Sequence, residues 1–351
     1  MRIAQIAPLW ESVPPRAYGA VESLVADLTD TLVARGHQVT VFASGDSKVA
    51  GELHACHPVS LNADPNLAEP EIPRMLQLAE VRDRADEFDV IHSHLHSNSG
   101  CSGLPALAGL ATPVLHTVHC FFNHDNTPLF QRHRAERFVA ISDHQRSTLP
   151  GLNYQGVVHH GLDLRRFPFK ADSGIDGGPF LLFLGRIRPE KGVHLAIEIA
   201  HHSGIPLKIA GRVKARDADY FAQTVAPHLD GDRVEYLGEL DFTAKTQLLA
   251  RAQATLVTSL IPEPFGLVTL ESLACGTPVL ALATGATPEL VQDGVTGILR
   301  TSARELALAV ERSAALDPAA CRAAVAERFS TARMTEEYLR LYAHAADVPG
   351  R

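Results

Sequence analysis

The chain has 351 residues, 46% of them apolar and 21% charged, which is material for two hydrophobic cores and too apolar for a wholly disordered chain. Its 32 basic residues against 40 acidic ones leave a net charge of −8, which argues against nucleic-acid or anionic-membrane binding driven by overall charge. Five scattered cysteines without a C-x-x-C pair argue against a disulfide framework or a zinc ribbon.

Ile3 to Ala7 is a short apolar run of the kind that forms a buried parallel strand. Pro8, Pro14, Pro15 and Gly19 mark a loop, and Val21, Leu24, Val25, Leu28 and Leu32 then follow helical spacing up to Gly36. Val39–Ala43 is the next strand, so the first 43 residues read as a right-handed strand–helix–strand unit. Helix 74–87 and strands at Val90–His92, Pro113–Val118, Arg137–Ile141 and Gly156–Val158 continue the alternation. Residues 171–179 form the most linker-like stretch, and the pattern restarts after it. Strands are expected at Phe180–Gly185, Leu207–Ala210, Val234–Leu237, Thr255–Thr258 and Pro278–Ala281. Helices are expected at 192–203, 217–229, 244–252 and 268–274, with a last helical stretch over 318–345.

The alternation predicts an α/β chain of two doubly wound, Rossmann-like parallel-sheet domains. The expected division is 1–170, a linker at 171–179, 180–328, and a C-terminal helix in 329–351 packing back on the first domain. No run of about 18 apolar residues occurs, and the N-terminal run is too short for a signal peptide, so a cytoplasmic protein is expected.

Sheets of this kind bind ligands beyond the carboxyl ends of their strands. The sharpest signal there is Pro262-Glu263-Pro264-Phe265-Gly266-Leu267-Val268-Thr269-Leu270-Glu271, ahead of a helix that Gly276 stops. The helix start at Leu267 and Val268 offers unpaired N–H groups to a phosphate. Leu184-Gly185-Arg186-Ile187-Arg188-Pro189-Glu190-Lys191-Gly192 sets a forked guanidinium and a mobile ammonium beyond another strand. His119 ends a strand, and His92, His94 and His96 recur at period two, a spacing that puts three rings on one face and could hold Zn²⁺. No carboxylate or cysteine accompanies that triplet at ligand spacing, so no metal is expected there. Asp217-Ala218-Asp219 lies at a helix start and is not read as a metal site.

The string from Glu263 to Glu271 resembles the E-x7-E hallmark of the retaining family 4 glycosyltransferases of the GT-B fold, and the Arg186–Lys191 segment is similar to that family's L-G-R-x-x-x-x-K-G. Pro14–Glu22 resembles the family's Gly-Gly loop, with Ala20 in place of the second glycine, and His160-Gly161-Leu162-Asp163 its N-G-x-D turn. The resemblance implies two domains facing across a cleft, and sugar transfer with retention from a nucleotide-diphosphate sugar to an acceptor hydroxyl, without metal or other cofactor. It implies that Glu271 holds the ribose, and that Arg186, Lys191, Gly19 and the N–H groups of Leu267 and Val268 hold the diphosphate. Glu263 and the backbone of Phe265 and Gly266 would hold the sugar, with His119 touching it from the first domain.

The rival readings are a GT-B-type epimerase or phosphorylase, a non-catalytic sugar- or nucleotide-binding protein, and a metal-dependent hydrolase on the histidine triplet. Arg132-His133-Arg134-Ala135-Glu136-Arg137 is weighed as a weak contact with an anionic lipid surface, and a solvated helix face is the favoured reading. The acceptor, glycan, lipid or small molecule, and the base of the donor carry no readable signal.

Overall fold

The computed structural model describes residues 1–16, 19–96, 100–169 and 178–347. The chain divides into two compact units, Met1–Gly161 with Thr331–Arg351, and Leu162–Ser330. The divisions therefore fall at Gly161 and Ser330 rather than at 170 and 328. Most of the linker expected at 171–179 lies outside the described residues.

The first unit carries strands β1 (Arg2–Ile6), β2 (Gln38–Ser44), β3 (Glu52–His57), β4 (Val90–Leu95), β5 (Val114–Val118), β6 (Arg137–Ala140) and β7 (Tyr154–Val157). They form one sheet in the order β3-β2-β1-β4-β5-β6-β7, parallel at every pairing. The chain starts at the centre, works outward to β3, then restarts on the other side of β1. That reversal places a topological switch point between β1 and β4. Ile3, Ala4, Val41, Phe42, Val90, Ile91 and Leu115 are wholly buried, each large apolar side chain contributing ~1.5–3 kcal/mol.

The second unit repeats the plan. Strands β8 (Leu181–Leu184), β9 (Leu207–Ala210), β10 (Val234–Tyr236), β11 (Ala254–Val257), β12 (Val279–Leu282) and β13 (Gly297–Arg300) pair in parallel as β10-β9-β8-β11-β12-β13. Its switch point lies between β8 and β11. Leu181, Leu182, Leu207, Ile209, Leu280 and the helix residues Val193 and Ala196 form the centre of its core.

Two strands were not expected, β3 and β13. Both are edge strands, and β3 (ELHACH) is half exposed and carries no apolar run. The expected helix 217–229 is helical over Ala215–His228 but irregular, passing from a 3-10 turn (Ala215–Asp217) through an α turn (Ala218–Tyr220) and a π stretch (Phe221–Val225) to a second 3-10 turn (Ala226–His228). Pro227 within it cannot donate to the helical ladder. The stretch 318–345 is two helices, Pro318–Arg328 and Thr331–Asp347, broken at Phe329 and Ser330. Ser330 bridges to Leu162 within the second unit, whereas Tyr338 and Tyr342 of the last helix are buried in the first. The Arg132–Arg137 run is no single helix face, because the helix Thr127–Arg132 ends where it begins and β6 starts where it ends. Among the described residues, no helix is long and apolar enough to cross a membrane.

Candidate functional site

In the second unit, the loops after β8 and β11 are fastened together at the switch point. Leu260 N–H donates to the Glu190 carbonyl at 2.8 Å, and the Thr258 hydroxyl donates to the Gly192 carbonyl at 2.8 Å. Gly192 is required here: its φ is +70°, and a Cβ would strike the Thr258 carbonyl. The same applies to Gly285 (φ +60°), where a Cβ would strike the backbone of Glu263. Ala286 N–H then donates to the Glu263 carbonyl at 3.0 Å.

The fastening brings Lys191 and Glu263 together. Lys191 Nζ donates to Glu263 Oε2 at 2.7 Å, and Ser259 Oγ donates to Oε1 at 2.5 Å. Burial would raise the Glu263 pKa, but Lys191, the Ser259 hydroxyl and the charge of Arg186 outweigh it and hold the carboxyl below its ordinary value. Arg186 has no hydrogen-bond partner among the described residues. Its neighbour Arg188 is forked onto Glu190 at 2.8 and 2.7 Å, so the two arginines of this loop have different states. Lys214, beyond β9, has its pKa lowered by burial and by Arg186, Arg216 and Arg212. The carboxyl ends of β8 and β9 therefore share a positive field that the sequence reading assigned only to Arg186 and Lys191.

The helix Leu267–Ala274 starts at Gly266 (φ +113°) with no side-chain cap. Its first-turn N–H groups at Leu267 and Val268 stay available to an anion. The Phe265 ring is buried, which leaves only its backbone for a ligand. Glu271 does not stand in solvent: Lys245 Nζ donates to its Oε1 at 2.5 Å. Lys245 sits 5.1 Å over the Phe242 ring. A lone lysine within a helix has no local signal, and the sequence reading missed it.

In the first unit, the residues near the switch point are neutral. His92 Nδ1 meets the Tyr342 hydroxyl at 2.6 Å, and its Nε2 meets Thr117 Oγ1 at 2.7 Å. His94 Nε2 meets Gln5 Oε1 at 2.7 Å, and its Nδ1 meets His119 Nε2 at 3.0 Å. The rings of His94, His119 and His160 follow one another at 5.2 Å. Burial and neighbouring imidazoles push His92, His94 and His119 well below the ordinary histidine pKa, and His160 down to about 3. His116 is also buried, with a pKa of about 3 and no partner for either ring nitrogen among the described residues.

The three histidines of the period-two triplet are placed differently. Both rings on β4 are spent on hydrogen bonds, and His96 lies beyond the strand. Among the described residues, the group with metal-ligand geometry is His54, Cys56 and Glu80. Arg84 donates to His54 Nδ1 at 2.9 Å, so His54 gives its one proton from Nε2 to Glu80, also at 2.9 Å. A metal on Nε2 would move that proton to Nδ1, against the guanidinium. The group is a satisfied hydrogen-bond cluster.

Gly19 precedes the helix Ala20–Ala34 with φ 167°, an extended value open to any residue. Its need for glycine is one of space, because a Cβ would meet the Pro15 ring and Glu22 Oε2. Ala17 and Tyr18 of the same loop lie outside the described residues. Glu22 in the helix's first turn is buried, and burial pushes its pKa up to about 7, with Glu11 adding to the rise.

Comparison with known proteins agrees with this layout. Residues 166–322 match the family Glycosyl transferases group 1, and residues 21–166 match Glycosyltransferase Family 4. A glycogen synthase of Mycobacterium tuberculosis is 28% identical, over 96% of this chain and 91% of its own. A D-inositol 3-phosphate glycosyltransferase of Actinosynnema mirum is 28% identical, over 94% and 93%. The structure of a sucrose-phosphate synthase from Thermosynechococcus elongatus superposes with a TM-score of 0.76 at 23% identity, over 98% of both chains.

Proposed function

Because the chain belongs to the family 4 glycosyltransferases of the GT-B fold, we propose that it transfers a sugar from a nucleotide-diphosphate sugar to an acceptor hydroxyl with retention and without a metal. The observation that carries this reading is the Lys191–Glu263 pair beside an unengaged Arg186, at the carboxyl ends of β8 and β11.

Cleavage of the donor's glycosidic bond leaves negative charge on the diphosphate and positive charge on the sugar ring. Arg186 forks onto the phosphate oxygens, and Lys191 adds a second charge it now shares with Glu263. The Leu267 and Val268 N–H groups and the helix dipole act on the same oxygens. Glu263, held ionised by Lys191 and Ser259, accepts from sugar hydroxyls and faces the charge that develops on the ring. Glu271 accepts from the ribose hydroxyls and exchanges Lys245 for them in part. In the first unit, the Gly19 backbone is assigned to the diphosphate and His119 to the transferred sugar. Attack from the face the diphosphate leaves gives retention, and no carboxylate is assigned as a covalent nucleophile. The positive groups do the work a divalent cation would do.

The test is turnover of a nucleotide sugar in EDTA with the product's anomeric configuration read by proton NMR. The reading predicts undiminished transfer and the donor's own configuration. An inverted product, or activity lost to the chelator and restored by a metal, would contradict it.

A further inference from the structure

We infer that Gln5 and His94 are positioning residues for His119, fixing its imidazole in the tautomer whose bare Nδ1 accepts a hydroxyl proton of the transferred sugar. The inference rests on the sugar-contact role proposed for His119.

The argument is a count of protons. Gln5 Oε1 carries only lone pairs, so His94 Nε2, 2.7 Å away, must carry the hydrogen of that bond. His94 is neutral, because burial beside His92, His160 and His96 holds its pKa well down. Its Nδ1 is therefore bare and can only accept. His119 Nε2 faces it at 3.0 Å and must donate. His119 is neutral for the same reasons. Its one ring proton is used on Nε2, and its Nδ1 is left a lone pair.

The other end of the chain is tied down as well. Gln5 Nε2 donates to the Tyr342 hydroxyl at 3.1 Å. That hydroxyl is then free to give its own proton to His92 Nδ1 at 2.6 Å. His92 Nε2 donates to Thr117 Oγ1 at 2.7 Å, and the Thr117 hydroxyl in turn donates to the Tyr338 oxygen at 3.0 Å. Each link has one donor and one acceptor. Reversing His119 alone would set two protons or two lone pairs against each other, so the whole chain holds the tautomer. It spans β1, β4, β5 and the last helix of one compact unit.

The chain ends on an unanswered group. His119 Nδ1 is itself buried and has no hydrogen-bond partner among the described residues. A bare imidazole nitrogen calls for a donor. A sugar hydroxyl supplies one, whereas a C–H at the same place leaves the nitrogen empty and a carboxylate repels it. The specificity this implies is for a neutral, hydroxylated sugar, against the deoxy analogue lacking that hydroxyl and against the uronic acid.

The test has a spectroscopic arm and a kinetic arm. Imidazole ¹⁵N NMR of the wild-type enzyme at pH 7 should show His119 protonated at Nε2 and bare at Nδ1. The opposite tautomer or an imidazolium overturns the inference. Gln5→Leu removes the acceptor and should turn the His119 signals into a tautomer mixture. In the kinetic arm, wild type and Gln5→Leu are compared on a nucleotide hexose and its set of monodeoxy analogues. Gln5→Leu should lower kcat/KM for the parent sugar ~10-fold or more, and leave one deoxy analogue within about 2-fold. An equal loss on the parent and every analogue marks a purely structural role and overturns the inference. The wrong tautomer in an active enzyme sinks the inference alone. The expected tautomer in an enzyme that transfers no sugar sinks the functional reading instead.

Discussion

The two units have the same doubly wound plan and opposite electrostatics at the same place in it. Beyond β8, β9 and β11 stand Arg186, Lys191, Lys214 and Glu263, charged groups partly held by one another. On and beyond β4 and β5 stand His92, His94 and His119, kept neutral by burial and linked by hydrogen bonds. The topology supplies a ligand-binding edge in both cases. Side-chain chemistry then distinguishes the two edges, charged in the second unit and neutral in the first.

Acid should break the comparison most strongly, by destroying the neutral side. His92, His94, His116, His119 and His160 all have folded pKa values below the ordinary 6.5. Below pH ~6.5 the unfolded chain therefore binds more protons than the folded one. Stability from these groups is complete above that pH and is lost as pH falls toward the folded values. Each fully titrating histidine removes ~1.4 kcal/mol per pH unit. Glu22 runs the other way: its folded pKa is raised to about 7, so its burial costs least at low pH and it offsets part of the loss. The melting temperature should fall steeply between pH 6.5 and 5, before ordinary carboxylates titrate. A flat profile over that window would mean that the histidines are not held neutral.

The charged side should break next. Arg186→Ala and Lys191→Ala are each expected to lower transfer by ~10²-fold or more, with melting temperatures near that of wild type. Lys191→Ala should also let the Glu263 pKa rise, because it removes the partner that outweighs burial. Turnover like that of wild type in either variant would detach these residues from the chemistry.

The smallest effect sharpens the comparison inside the first unit. His116 is buried like His94 but belongs to no hydrogen-bond chain among the described residues. Leaving a buried polar group unpaired costs ~1–3 kcal/mol. His116→Leu should therefore raise the melting temperature by a few degrees without changing turnover, whereas His94→Leu should lower both. A destabilised His116→Leu would show that the imidazole has a partner.

Much of the plan was legible from local pattern. The apolar runs at β1, β2, β8, β9 and β12 have no other use than a buried parallel strand, and Leu207–Ala210 was read to the residue. The Glu263–Glu271 string and the Arg186–Lys191 loop carried the family and the second unit's edge together. What stayed hidden depends on partners far apart in sequence. Lys245 matters because it meets Glu271, and Lys214 because it stands near Arg186. The period-two spacing of His92 and His94 could not show that Tyr342, 250 residues from His92, links them into a hydrogen-bond chain. The edge strands β3 and β13 had no apolar run to show, and the last helical stretch concealed a break that divides it between two units.

The most direct measurement is thermal melting of the purified protein in EDTA against UDP, GDP, ADP and TDP, for wild type and for Arg186→Ala. A diphosphate at ~100 times its dissociation constant should add ~2.7 kcal/mol, a shift of a few degrees for units of this size. The account predicts a selective shift with one nucleoside diphosphate in the wild type, much reduced in the variant. A folded wild type that none of the four stabilises would contradict the assignment of the second unit's positive edge to a nucleotide-sugar donor.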